Sequence, residues 1–110
     1  MENEPSRILT DADLFRQVTE EMAKTFERKD ATYGNSFAKS VGKYGMIAAL
    51  TRISDKFNRI ENLILGAKNN VPEESIKDTL LDLACYSVMT LIEVSKHQTA
   101  SDTYGTASKL

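Results

Sequence analysis

Hydrophobic residues recur with helical spacing along three long stretches of the chain. In the first stretch they follow one another every four residues: Leu14, Val18, Met22 and Phe26. This spacing predicts an amphipathic helix over residues 11–30, with Thr10 or Asp11 as its N-cap. A turn at residues 30–36 and a short helical piece at residues 37–41 are expected to follow.

The second stretch has the alternating four- and three-residue spacing of a heptad: Met46, Leu50, Ile53, Phe57, Ile60 and Ile64. This spacing predicts one packed seam on a second long helix, which starts at Lys43 or Tyr44 and runs to Leu65. Gly66 is placed to end that helix in the left-handed conformation.

The third stretch begins at Pro72, which is followed by acidic residues, and predicts a helix to about Lys96. This helix carries two apolar stripes. One comprises Ile76, Leu80, Leu83, Ser87, Thr90 and Val94, and the other comprises Leu81, Cys85, Val88 and Ile92. Two stripes exceed what one partner helix can cover, so we expect the third helix to mediate oligomerisation.

These elements predict an all-α fold, in which an antiparallel helical hairpin and an N-terminal helix pack as a symmetric homo-oligomeric bundle, a dimer or tetramer. We expect a single helical domain over residues 10–97. Residues 1–9 and 98–110 are polar and are expected to be a flexible N-terminus and a flexible tail.

Composition narrows the possible functions. The chain has 110 residues, a formal net charge of −2, one cysteine and one histidine. These counts argue against binding of bulk nucleic acid, against an internal disulfide and against a cysteine- or histidine-rich zinc site. Neither a signal peptide nor an apolar run long enough to span a bilayer is found, so we expect a soluble cytoplasmic protein.

Two charged stripes lie on the second and third predicted helices. The first comprises Arg52, Asp55, Lys56 and Arg59, and the second comprises Glu74, Asp78, Asp82 and Tyr86. In an antiparallel hairpin centred on the short loop, the numbers of facing residues add up to about 138. This register places Arg59 by Asp78, Lys56 by Asp82, and Arg52 by Tyr86.

The stripes have two interpretations. They form either a salt-bridge ladder that fixes the hairpin register, or a row of cations that carboxylates orient toward phosphate oxygens. The second interpretation draws on further groups suited to ligand binding: Lys29, Tyr33, Gly34, Lys43 and Tyr44. The two tyrosines can stack on bases or cap the core, and Gly34 and Gly42 would let the backbone approach a ligand closely.

Three sequence motifs in these regions resemble those of the nucleotide-modification-associated domain 1 family, which occurs in many phages and some bacteria. The motifs are K-x-x-x-Y-G at Lys29, D-K-x-x-R at Asp55, and E-S-x-x-D-T-L-x-D-L-A-x-Y at Glu74. The likeness extends over about residues 15–95. It implies a small helical viral protein that handles nucleotides in the host cytoplasm. Small phage proteins of this broad kind include sponges that sequester the cyclic-nucleotide signals of bacterial immunity, of the anti-CBASS type.

A more distant resemblance is to the MazG-like all-α nucleotide pyrophosphatases, in which carboxylates of two helices hold magnesium. Under this alternative Glu74, Asp78 and Asp82 would be the metal ligands. Lys56 and Arg59 stand where further acids would be wanted, and they would repel a metal ion. The sequence therefore favours a binder without a metal or other cofactor over an enzyme.

We accordingly expect the protein to bind and sequester a small nucleotide, for which a cyclic dinucleotide is the leading candidate. Its ligand residues would be the cations, tyrosines and Gly34 named above, and Asp55, Glu74, Asp78 and Asp82 would orient the cations. Two alternatives stay open. One is magnesium-dependent nucleotide hydrolysis or a role in nucleotide modification, and the other is a helical adaptor protein.

Overall fold

The computed structural model describes residues 8–66 and 73–100, with side chains described as far as Lys96. These residues form four α-helices and one π-helical turn and contain no strand, so the predicted all-α class is confirmed. The chain divides into two compact units, Met1–Gly34 and Asn35–Leu110. The outer parts of both predicted flexible termini, and the loop at residues 67–72, lie outside the described residues.

Helix α1, Asp11–Tyr33, makes up the described helical part of the first unit. It starts as predicted, because the Thr10 hydroxyl accepts from the Asp13 N–H and the Asp13 carboxylate accepts from the Thr10 N–H, a reciprocal capping box. The predicted end at residue 30 is wrong by one turn. The helix ends at Gly34, whose φ of 67° is left-handed.

Helix α2, Ser36–Tyr44, opens the second unit. Asn35 caps it, and the Asn35 side chain accepts from the Ala38 N–H at 3.2 Å. Gly45 then breaks the helix with a φ of 86° and a ψ of −172°, a backbone conformation that favours glycine. The expected helix start at Lys43 or Tyr44 is therefore wrong.

Helix α3, Met46–Glu61, runs directly into the π-helical turn Asn62–Gly66. The expected left-handed end at Gly66 is wrong, since Gly66 closes the π-helical turn without a positive φ. Helix α4, Glu73–Ala100, completes the described chain, with Glu73 and Glu74 in its first turn as expected.

The core of the second unit lies where α2 meets α3 and α4. Phe37, Val41 and Ala49 are buried there, and Tyr86 and Met89 of α4 pack against them. The predicted α3 seam is only partly right. Ile60 is buried, but three of its members are more than half exposed: Leu50, Phe57 and Ile64.

The first of the two apolar stripes predicted on α4 is only partly buried. Its members Ile76, Leu83, Thr90 and Val94 are partly buried, but the buried residues of the helix, among the side chains that the structure describes, are polar: Thr79 and Glu93. Large apolar residues of the helix stay substantially exposed: Leu80, Leu81, Val88, Leu91 and Ile92. In the part of the chain that the structure describes, no helix is long and apolar enough to cross a membrane.

Candidate functional site

Lys56 of α3 reaches across to α4. Its Nζ lies 3.2 Å from Oδ2 of Asp82, and both side chains are partly exposed. This pairing confirms one of the three contacts that the register predicted. The carboxylate holds the ammonium group in place on the surface of α3.

Arg59, one turn further along α3, is held by a different kind of contact. Its Nε donates to Oγ1 of Thr79 at 3.2 Å, and the Thr79 hydroxyl donates in turn to the Ser75 carbonyl at 2.8 Å. Thr79 is only 2% exposed, so the anchor is a buried hydroxyl that both donates and accepts a hydrogen bond. The predicted ion pair with Asp78 is wrong, because Thr79, the next residue around the helix, is the one that faces α3.

The two anchored cations line an open groove of about 430 Å³. The other lining residues are Asp55, Asn58, Asn62 and Leu63. All of them belong to α3 and the π-helical turn, where a spacing of three and four residues places side chains on one face.

Several polar groups in this groove have no partner among the described residues. The side chains of Asp55, Asn58 and Asn62 make no hydrogen bond or ion pair with the described residues. Within the described part of the chain Arg59 bonds only through its Nε, and its two terminal nitrogens have no partner there. Asn62 and Leu63 also belong to a π-helical turn, an irregularity found frequently at functional sites.

Arg52 does not belong to this site. It makes no hydrogen bond or ion pair with the described residues and does not line the groove. No hydrogen bond or cation–π contact among the described residues joins it to Tyr86, which the register placed beside it. The Tyr86 ring packs instead on Phe37, with ring centroids 5.5 Å apart.

Lys43 and Tyr44 also lie outside the groove lining. They interact with each other at the end of α2, where Nζ of Lys43 lies 5.3 Å from the centroid of the Tyr44 ring. Lys29, Tyr33 and Gly34 belong to the first unit, and Gly34 serves as the C-cap of α1. Gly42 lies inside α2 rather than at a turn, so its expected role in a close backbone approach is not supported.

The acidic side chains of α4 do not form a cluster. Asp82 is paired with Lys56, whereas Glu74 and Asp78 are exposed and make no ion pair with the described residues. Along a helix, eight residues rise by about 12 Å, which separates Glu74 from Asp82. Among the described residues, no three His, Cys, Asp or Glu side chains are grouped so that they could hold one metal ion.

Sequence reasoning missed Asn58, Asn62 and Leu63 as groove residues and Thr79 as the anchor of Arg59. The first three could have been found, because they continue the Asp55–Arg59 stripe at spacings of three and four. A buried threonine on a mostly apolar helix gives no comparable signal.

Fold and groove together define a small all-helical protein in which two cations anchored from α4 line a groove on α3. A family profile, nucleotide modification associated domain 1, matches residues 29–94, more than half of the chain, so the protein belongs to that family. Comparisons with curated proteins and with solved structures gave no match.

Proposed function

We propose that the protein binds a small phosphorylated nucleotide in the α3 groove and sequesters it without turnover. The observation that carries this proposal is the anchoring of Lys56 by Asp82 and of Arg59 by Thr79 in one groove. Cations fixed in this way lose less conformational entropy when they bind phosphate oxygens. Membership of a family whose name refers to nucleotides supports the same ligand class.

The groove suits a binder better than a metal-dependent hydrolase. Hydrolysis of a triphosphate through magnesium requires several oxygen ligands around the ion. The groove contains one carboxylate, Asp55, and two cations. Phosphate neutralisation in the proposed complex therefore comes from Lys56 and Arg59.

A cyclic dinucleotide is the ligand we favour, because the exposed apolar surfaces point to a symmetric assembly. Helix α3 exposes Leu50, Phe57 and Ile64, and α4 exposes a second series that includes Val88 and Ile92. Large apolar side chains exposed in such number on a small protein are typical of contacts with other chains. An isologous assembly would present two copies of the groove to a ligand with two similar halves.

In this proposal α3 and α4 form the antiparallel hairpin of each protomer. The contacts Lys56–Asp82 and Arg59–Thr79 support this arrangement, because the α4 partner moves back along its helix as the α3 residue moves forward. The biological role that we propose is capture of a cyclic dinucleotide immune signal in a phage-infected bacterium.

The deciding experiment is incubation of the protein with a panel of cyclic dinucleotides and nucleoside triphosphates, followed by removal of free ligand, denaturation and chromatography. Release of an intact nucleotide, bound in the presence of EDTA, is the expected result. Recovery of a cleaved product formed only with magnesium would replace the proposal with the hydrolase. Failure to retain any member of the panel, with one host protein co-purifying, would replace it with the adaptor.

A further inference from the structure

The groove holds more than phosphate-binding groups. Beside Lys56 and Arg59 it presents the carboxylate of Asp55 and the amides of Asn58 and Asn62, none of which bonds to the described residues. A phosphate needs donors only, so a carboxylate in its site would repel it. We therefore expect Asp55 to contact a different part of the ligand, one that offers N–H donors.

Asp55 and Asn62 have a separation that fits a purine. Seven residues of helix rise by about 10.5 Å, and both side chains line the same groove. A purine ring with one hydrogen bond on its Watson–Crick edge and another at N7 spans a similar length, about 10 Å. Leu63, which also lines the groove and is partly buried, offers an apolar surface for the ring.

The carboxylate of Asp55 discriminates between the purines. A carboxylate only accepts, and guanine offers it the adjacent N–H groups of its Watson–Crick edge. Adenine presents an unprotonated ring nitrogen at the same edge, which a carboxylate repels. The NH₂ group of an asparagine amide can donate to N7 of either purine, so the choice between them depends on the carboxylate.

We propose that the α3 groove selects guanine, with Asp55 accepting from its Watson–Crick edge and Asn62 donating to N7, while Arg59 and Lys56 bind the phosphate. This assignment rests on the proposed nucleotide-binding function and adds the identity of the base. It makes Asp55 the specificity-determining residue and Asn62 a second contact to the base, and it replaces the expected role of Asp55 as an acid that orients a neighbouring cation.

The test compares cyclic di-GMP with cyclic di-AMP, two probes that differ only in their bases, by isothermal titration calorimetry. The wild-type protein should bind the guanine compound about tenfold more tightly, the discrimination expected of a good bidentate pair. The double variant Asp55→Asn with Asn62→Asp keeps the net charge and exchanges the two groups. It should lose this preference or invert it toward adenine.

Glu61→Gln is the matched control, because it removes one negative charge from α3 at a residue that does not line the groove. It should leave the ratio of the two affinities within about twofold of wild type. Circular dichroism of each variant confirms that the helices are retained.

The outcomes separate the two proposals. If both compounds bind wild type equally, or if the double variant keeps the wild-type ratio, the guanine assignment is wrong while nucleotide binding stands. If neither compound nor any other nucleotide in the panel binds, the proposed function fails and the assignment fails with it.

Discussion

Nε of Arg59 donates to Oγ1 of Thr79 across the α3–α4 contact at 3.2 Å, and Thr79 is almost completely buried. The link joins the candidate ligand groove to the interior of the second unit. Because Thr79 takes up Nε and leaves the two terminal nitrogens, the same contact contributes to stability and orients the guanidinium group.

Removing the Thr79 hydroxyl should lower the stability of the fold and leave the Arg59 guanidinium group less firmly oriented. Thr79→Val keeps the shape of the side chain, and we expect it to lower the free energy of unfolding by about 0.5–1.5 kcal/mol. Urea unfolding followed by circular dichroism measures the change. Thr51→Val is the control, since the Thr51 hydroxyl bonds only to its own helix at Ile47 and is exposed. Equal stabilities of the two variants would show that the Arg59–Thr79 bond contributes nothing.

The Lys56–Asp82 pair is more exposed and should matter less for folding. Asp82→Asn is expected to reduce stability by about 0.2–1 kcal/mol, as for other solvent-screened ion pairs. Its effect on nucleotide affinity should be a modest loss that EDTA does not change, because in the binder that we propose Asp82 orients Lys56 instead of holding a metal ion. Complete loss of a magnesium-dependent turnover in this variant would contradict the account and favour the hydrolase.

Replacement of two glycines of the second unit by alanine should change the stability of the protein in opposite directions. Gly45 has a φ of 86°, so Gly45→Ala introduces backbone strain of about 1–3 kcal/mol although a Cβ would meet no atom within 4 Å. Gly42 lies within α2, where a Cβ also meets nothing within 4 Å, and Gly42→Ala should stabilise the protein by about 0.5–1 kcal/mol. Thermal unfolding of both variants checks the pair. Stabilisation by Gly45→Ala would contradict the break between α2 and α3.

The exposed apolar face of α4 should mediate assembly. Val88→Glu places a charge in the proposed contact between chains, and we expect it to shift the protein from oligomer to monomer. Light scattering at micromolar concentration measures the mass. Thr51→Glu, on an exposed polar position of α3, should leave the mass unchanged. A wild-type protein that is monomeric under these conditions would refute the oligomer.

The sequence predicted α1 well because its start is coded locally. Thr10 and Asp13 hydrogen-bond to each other, and the four-residue apolar spacing begins at Leu14, the next residue in the chain. It also predicted a division between a short helix and the second long helix, but it placed that division near Gly42 instead of at Gly45. That division depends on the backbone of Gly45, and another glycine, Gly42, stands inside α2 only three residues earlier.

Hydrophobic spacing was a poor guide to which faces of α3 and α4 pack. On α3, apolar side chains lie on more than one face, and the buried Ala49 gives a weaker signal than the exposed Leu50 or Phe57. On α4, the buried residues Thr79 and Glu93 are polar. The loop-centred register nevertheless predicted Lys56–Asp82 correctly and came within one residue for Arg59.

The central claim is that the α3 groove, and not the positive charge of α3 in general, binds the nucleotide. Arg59 and Arg52 provide the matched comparison, because both are exposed arginines of α3 and only Arg59 lines the groove.

The most direct measurement is calorimetric titration of a cyclic dinucleotide retained by the wild-type protein into Arg59→Ala and Arg52→Ala. We predict that Arg59→Ala loses about 1.5–3 kcal/mol of binding free energy, the range of a charged hydrogen bond. For Arg52→Ala we predict a change in binding free energy below about 0.5 kcal/mol. Equal affinities of wild type and Arg59→Ala, or equal losses in the two variants, would contradict the central claim.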